Sequence, residues 1–229
     1  MAVYSKKHNF LFLASPQTGS KAINKTLIEQ LEGEQIPKAD VRKNGKVVAN
    51  KHHTTIKMLL NSKLLTQEEV KQAFKFVGVR NPYDLLVSRY MKLRGRFAAS
   101  GEKANWAQKN EALATRVTMA NEMTFPEWLK EVHSEFLSGE RTFKGPMLYL
   151  EGVDHVIRFE KLQEGFDEAM QRIGVPGKIE VAQFNVTTER VDSGKKRDFR
   201  EFYDASSIEL VQKLYAPVIE RFGYQFDQA

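Results

Sequence analysis

Two short segments carry residue types and spacings suited to gripping phosphate. In Ser15-Pro16-Gln17-Thr18-Gly19-Ser20-Lys21-Ala22, small and hydroxyl-bearing residues separate the apolar run Phe10–Ala14 from a helical pattern beginning near Lys21. Backbone N–H groups at a helix start have no intrahelical acceptor and lie at the positive end of the helix dipole, so such a turn can cradle an anion. Gly19 permits close backbone approach, and Thr18 and Ser20 add hydroxyl donors. The turn is not a Walker A loop, because Ser20 rather than lysine follows Gly19 and no glycine lies five residues before it. A plain strand-to-helix turn is the competing interpretation.

The second segment is Phe76-Val77-Gly78-Val79-Arg80-Asn81-Pro82-Tyr83-Asp84, running on to Ser88. Asn81 suits a helix cap, Pro82 the first helical position and Asp84 the first turn, so the helix start is well specified. Arg80 then emerges at the carboxyl end of a strand, where open α/β sheets bind ligands. Ser88 follows two turns along the helix and can face that same edge. An arginine fork with a hydroxyl suits a phosphate; the alternative pairs Arg80 with a carboxylate and leaves Ser88 as a small packing residue.

The elements that must position these residues are legible as alternating strands and helices. Strand candidates are Asn9–Ala14, Phe76–Arg80 and Val156–Phe159, each followed by a helical pattern over Lys21–Glu32, Pro82–Leu93 and Leu162–Ile173. The predicted fold class is α/β, a central parallel β-sheet flanked by helices. One domain over residues 1–229 is expected, with a helical insertion at about 94–126 that is polar and Ala-rich. A helix restarts at Thr124, and a packing helix over Ser206–Phe222 is interrupted by Pro217.

Composition bounds the function. The chain has 229 residues, 41% hydrophobic and 28% charged, with a net charge of +6 and a pI of about 9.3. The excess reads as spread along the chain, which favours phosphate-bearing small molecules over nucleic acid as partners. Cysteine is absent, excluding a disulfide scaffold, a thiolate metal site and a cysteine nucleophile. The five-residue apolar stretch after Lys6-Lys7 is shorter than the ~7–15 of a secretory core. No run reaches the ~20 apolar residues of a membrane span, so a cytoplasmic protein without a membrane partner is expected.

The order of motifs resembles the PAPS-dependent sulfotransferase family, whose donor is 3′-phosphoadenosine 5′-phosphosulfate. Val79–Tyr90 is similar nearly throughout to the family's 3′-phosphate motif, V-R-N-P-Y-D-x-L-V-S-R-Y. The turn Pro16–Ala22 resembles its 5′-phosphosulfate loop, P-K-x-G-S/T-S/T. Further echoes are Lys51-His52-His53-Thr54 for K-H-x-T, Arg158-Phe159-Glu160-Lys161-Leu162 for R-Y/F-E-D-L, the basic stretch Gly194-Lys195-Lys196-Arg197, and the ending Phe222-Gly223-Tyr224-Gln225-Phe226. The resemblance covers most of the chain outside about 94–124.

It implies a P-loop-like sulfotransferase fold and in-line transfer of a sulfuryl group from PAPS to a hydroxyl or amine, releasing adenosine 3′,5′-bisphosphate (PAP), with no metal. Cofactor contacts are then expected from Pro16, Gln17, Thr18, Gly19, Ser20, Lys21, Ala22, Arg80, Ser88, Lys195, Lys196 and Arg197. His52 aligns with the base that removes the acceptor proton, a role suited to histidine near neutral pH, and His53 is the second candidate. One departure stands out: Gln17 replaces the loop lysine that contacts the transferring group. Lys21 lies at the helix start and is the candidate replacement cation, so His52, Lys21 and Gln17 form the expected catalytic set. Trp106, Trp128 and His133 are candidates for an acceptor pocket, and the acceptor is expected to be a small molecule, with specialised metabolites among the classes. A P-loop-type kinase and a non-catalytic basic nucleotide-binding protein remain alternatives.

Overall fold

A computed structural model describes residues 1–98, 111–181, 191–192 and 195–227. In chain order the strands are β1 (Ala2–Ser5), β2 (Phe10–Leu13), β3 (Glu34–Ile36), β4 (Val41–Lys43), β5 (Lys46–Ala49), β6 (Phe74–Val79), β7 (His155–Arg158), β8 (Val191–Asp192) and β9 (Lys195–Lys196). The α-helices are α1 (Ser20–Gln30), α2 (Ile56–Asn61), α3 (Gln67–Gln72), α4 (Pro82–Ala98), α5 (Glu111–Glu122), α6 (Phe125–Val132), α7 (Ser134–Leu137), α8 (Leu162–Arg172) and α9 (Ala205–Phe222). They group into two compact units, Met1–Arg80 with Gly145–Phe184, and Asn81–Lys144 with Asn185–Ala229.

The first unit is built on a five-stranded sheet of order β3-β1-β2-β6-β7. β2, β6 and β7 run parallel, with β7 at the sheet edge, the α/β arrangement expected. All four residues of β2 are buried, which is why its apolar run does not alternate: both faces are covered. Two strands without a sequence signal complete the sheet. β1 runs antiparallel to both β2 and β3, making the sheet mixed. Val3, Phe10, Phe12, Phe76 and Ile157 from the strands pack with Ile23 and Leu27 of α1 and Phe166 and Met170 of α8. A Cβ on Gly165 would come 3.1 Å from Ile157 Cγ2, so this glycine lets α8 lie close on β7.

A second, two-stranded ladder, β4–β5, turns at Asn44 and Gly45, both left-handed at φ 50° and 76°. Paired positive φ at an Asn-Gly step matches the twist of a tight hairpin. This hairpin lies within a strongly basic stretch. Between Lys38 and Lys63 there are seven lysines and arginines and one acid, Asp40, so this stretch alone matches the chain's +6. The charge is therefore concentrated rather than spread.

The second unit is helical around an aromatic core. Tyr90 of α4 lies 5.4 Å from Phe125 and 5.3 Å from Trp128, and Phe125 lies 4.7 Å from Tyr203, ring centre to ring centre. Trp128 is fully buried in this core, so it packs there instead of lining an acceptor pocket. Asn81 caps α4 as expected, its side-chain oxygen accepting from Tyr83 N–H at 3.0 Å. α9 runs through Pro217 and ends at Gly223 in the left-handed conformation, with Val211, Tyr215 and Val218 buried. In the region expected as an insertion, α4 extends to Ala98 and α5 covers Glu111–Glu122; Trp106 lies outside the described residues. Among the described residues, no helix is long and apolar enough to cross a membrane.

Candidate functional site

The loop between β2 and α1 is held by its own side chains. Thr18 Oγ1 donates to the Ser15 carbonyl at 2.9 Å and Ser20 Oγ donates to the same oxygen at 3.1 Å. These two hydroxyls, expected to face a phosphate, here have their protons turned inward and brace the loop. Gln17 and Gly19 both adopt positive φ, 65° and 72°, which curls the backbone tightly. The left-handed conformation is ordinary for glycine and uncommon for glutamine.

The donors such a loop offers to an anion are then backbone amides. α1 starts on Gly19, which has no side chain to cap it, and no acidic residue lies in its first turn. Ala22 N–H already bonds to the Gly19 carbonyl at 2.9 Å and its side chain is buried. The amides of Ser20 and Lys21 precede that first helical bond, at the positive end of the dipole. Lys21 itself is exposed at the second helical position. The loop seats closely on the sheet: a Cβ on Gly78 of β6 would meet Thr18 Oγ1 at 2.7 Å and Thr18 Cβ at 2.9 Å. A glycine within a buried strand is the signal that could have foretold this contact.

Arg80 fastens the loop from β6. It is buried to 6% exposure and its Nη1 donates to the Gln17 carbonyl at 3.0 Å. Its guanidinium lies 4.1 Å from the centre of the Phe159 ring, a cation–π contact. Phe159 also packs beside Gly19, where a Cβ would approach it to 3.2 Å. Phe159 thus supports both the arginine and the loop, a role its motif did not reveal.

The two histidines are placed differently. His52 N–H and His53 N–H both bond to Asn50 Oδ1, at 2.8 and 3.1 Å, so the backbone here is a tight turn. The Ala14 carbonyl, at the end of β2 where the loop begins, is among the groups that act on the His53 ring. Burial of that ring lowers its pKa below the ordinary histidine value, while the Ala14 bond acts in the opposite direction. The following residue, Thr54, is fully buried and its hydroxyl has no hydrogen-bond partner among the described residues.

The first unit therefore brings together Pro16 through Ala22, Arg80 and the His52-His53 turn. Ser88, Lys195, Lys196 and Arg197 belong to the second unit. Ser88 is fully buried on α4. Lys195 and Lys196 form β9, paired with β8. Arg197 lies 3.3 Å from Glu201 Oε2 and 4.5 Å from the centre of the Phe202 ring. Among the described residues, no three histidine or carboxylate side chains gather as a metal site.

Comparison with known proteins agrees with the motif order. The model of a family described as "Sulfotransferase family" matches residues 1–225. No curated protein sequence matches the chain. Among solved structures, mouse sulfotransferase SULT7A1 complexed with PAP aligns with a TM-score of 0.44 and 13% identity, over 96% of this chain and 87% of that one.

Proposed function

The chain belongs to the sulfotransferase family, and on that premise we propose that it moves a sulfuryl group from PAPS to a hydroxyl or amine of a small-molecule acceptor. The whole chain is taken to act as one catalytic domain, and specialised metabolites are the acceptor class to screen. The observation that carries the donor assignment is the α1 start: a glycine cap, no first-turn acid and a loop fastened by Arg80. Such a start favours a phosphate or sulfate group over a protein side chain.

In this proposal the Ser20 and Lys21 amides hold the 5′-phosphosulfate. Lys21 supplies the positive charge that Gln17 lacks, stabilising the oxygen that leaves as the sulfur–oxygen bond to PAP breaks. Gln17, with its backbone fixed by Arg80, positions the loop and can donate from its side-chain amide. Arg80 and Ser88 are assigned to the 3′-phosphate, with Lys195, Lys196 and Arg197 as further contacts. Positioning and electrostatics are the main contributions expected in such a transfer, by analogy with phosphoryl transfer.

For the base, the geometry favours His53 over His52. Its ring lies near the Ala14 carbonyl at the mouth of the phosphate loop and burial keeps it neutral to lower pH, so a ring nitrogen can take the acceptor's proton as the new oxygen–sulfur or nitrogen–sulfur bond forms. Calorimetric titration with PAP tests the donor assignment, with ATP plus Mg²⁺ and a short oligonucleotide as comparison ligands. PAP should bind most tightly, and Arg80→Ala and Ser88→Ala should each weaken it. No heat with PAP, or tighter binding of either comparison ligand, rejects the reading. A mass-spectrometric screen with PAPS then identifies the acceptor by its sulfuryl gain.

A further inference from the structure

Within the second unit, the segment after α9 is tied to both places that the donor proposal assigns to the 3′-phosphate, Arg197 and Ser88. The tie is a further basic residue that the motifs leave without a task. Arg200 lies in a 3₁₀ helix over Phe199–Phe202, three residues after Arg197. Its Nε donates to the Phe226 carbonyl at 3.1 Å and its Nη2 to the Asp227 carbonyl at 2.9 Å. Its Nη1 donates to Asp198 Oδ2 at 2.7 Å, while Asp198 Oδ1 accepts from the Arg200 N–H at 2.9 Å. Glu201 closes the same turn, accepting from the Asp198 N–H at 2.9 Å and lying 3.3 Å from Arg197 Nε. One guanidinium fork thus joins the neighbour of Arg197 to two successive carbonyls beyond α9, a geometry that the point charge of a lysine does not reproduce.

Phe226, held in this way, packs on the start of α4. Its ring centre lies 5.2 Å from Tyr83, 5.3 Å from Tyr203 and 5.9 Å from Phe199, edge-on in each case. Tyr83 is the second residue of α4 and is buried. Tyr203, next after the 3₁₀ helix, donates from its hydroxyl to the Tyr83 carbonyl at 2.9 Å. Asn81 Oδ1 takes the Tyr83 N–H. The first turn of α4 is therefore fixed by ring, amide and carbonyl together.

Ser88 lies five residues beyond Tyr83 on the same helix. A serine hydroxyl is one bond from Cβ, so it follows the helix and cannot reach to correct an error in its rotation. Hydrogen bonds weaken steeply with misalignment, and small displacements of a positioning element are costly at a ligand. An aromatic cluster packs without an arginine; the fork adds direction, deciding which carboxylate and which carbonyls meet.

We infer that Arg200 is a positioning residue for the 3′-phosphate: through Phe226 and Tyr203 it couples the turn beside Arg197 to the start of the helix that carries Ser88. The inference rests on the assignment of Arg197 and Ser88 to that phosphate. Arg200 acts through these others, because its own donors already serve Asp198, Phe226 and Asp227.

Calorimetry of the full chain with PAP and with adenosine 5′-monophosphate (AMP), which lacks only the 3′-phosphate, tests this. The ratio of the AMP and PAP dissociation constants isolates that phosphate. Arg200→Ala should lower the ratio about tenfold, as expected when a charged hydrogen bond is put out of line, with AMP affinity changed less than about twofold. Tyr203→Phe, which removes one hydroxyl and keeps the ring, should lower it about threefold and keeps the test open if Arg200→Ala folds poorly. Arg200→Lys should restore only a small part of the ratio, since the fork is still missing. Asp204→Ala, a cap removal that destabilises the same unit, should leave the ratio at its wild-type value. Equal losses for AMP and PAP, or an unchanged ratio in both Arg200→Ala and Tyr203→Phe, mean that Arg200 only closes the core and overturn the inference. A matching fall in Asp204→Ala overturns it too. A wild-type ratio near one is a separate failure: it rejects the 3′-phosphate assignment itself, and the inference with it.

Discussion

Helix α1 and helix α3 belong to the same unit, yet begin in opposite ways. α3 starts on Thr66, whose hydroxyl accepts from Glu69 N–H at 3.2 Å while Glu69 returns a carboxylate to Thr66 N–H at 2.8 Å. Its first turn also carries Glu68. The start of α3 is satisfied from within, by a reciprocal cap and negative charge near the positive dipole end. α1 has neither: Gly19 cannot cap it, no acid stands in the first turn and Lys21 adds positive charge where a helix is least suited to it. A sequence that caps α3 so thoroughly has the means to cap α1. Leaving α1 open makes sense when the missing negative partner is a ligand, and family membership says which chemical class that ligand comes from.

The largest expected effect concerns His53, the proposed base. His53→Ala should lower kcat by roughly 10²–10⁴-fold, the usual contribution of a general base, while PAP affinity measured by calorimetry stays unchanged. His52→Ala should change kcat by less than about threefold; the reverse ranking restores His52 as the base. A base works only when unprotonated. Because burial lowers the His53 pKa below its ordinary value of 6.5, kcat/KM should hold as pH falls through 6.5 and drop only at lower pH. That acid limb should vanish in His53→Ala.

Next in size is the latch. Arg80→Ala removes both a charged hydrogen bond to the Gln17 carbonyl and the guanidinium over Phe159. Losing a charged contact of about 2–3 kcal/mol corresponds to a fall in PAP affinity of about a hundredfold. Arg80→Lys keeps the charge but not the fork, so it should recover only part of the loss. Full recovery would mean that charge alone matters and that loop geometry does not.

Lys21→Ala comes third, with kcat lower by about tenfold and PAP binding reduced only modestly, because the role proposed for its charge is on the oxygen that leaves. Gln17→Ala supplies the contrast. If turnover survives Lys21→Ala but disappears with Gln17→Ala, the charge has not moved to Lys21. Gly78→Ala probes the same loop from below: its Cβ would press on Thr18, costing about 1–3 kcal/mol in Tm-monitored stability together with PAP affinity.

Much of this was legible from residue order, for identifiable reasons. β2 and β6 are central strands buried along most of their length, so their apolar runs stand out; β7 lies at the sheet edge and shows only the short run Val156-Ile157, and the Asn81 cap follows from local chemistry. β1 and β3 span only Ala2–Ser5 and Glu34–Ile36 and draw their stability from pairing rather than pattern. The β4–β5 hairpin has a turn signal, Asn44-Gly45, but its flanks are charged rather than alternating, so no strand pattern accompanies it. The choice between His52 and His53 could not be read at all. It depends on which ring the turn at Asn50 aims at Ala14, and adjacent residues carry no such information. The inward bonds of Thr18 and Ser20 were equally hidden, since a hydroxyl's partner is decided by loop curvature rather than by residue type.

The smallest effect tests the other half of the comparison. α9 begins on Asp204, which accepts from Ser207 N–H at 2.8 Å, with Ser207 Oγ accepting from Asp204 N–H at 2.9 Å. Bonds to Ser207 are the main reason the Asp204 carboxyl titrates below its ordinary value. Asp204→Ala should therefore cost about 1 kcal/mol of stability, read as a lower urea midpoint with unchanged slope, and should leave PAP affinity untouched. The depressed pKa also gives the cap a pH signature. Its contribution is complete above the ordinary carboxylate value of 3.8 and fades as the group protonates below that, so wild type and variant should converge in strongly acidic solution. A capped start is a matter of folding alone and an open one a matter of ligand. If removing the Asp204 cap weakened PAP binding as much as Arg80→Ala does, capping would not distinguish the two kinds of helix start, and the argument from α1 would lose its basis.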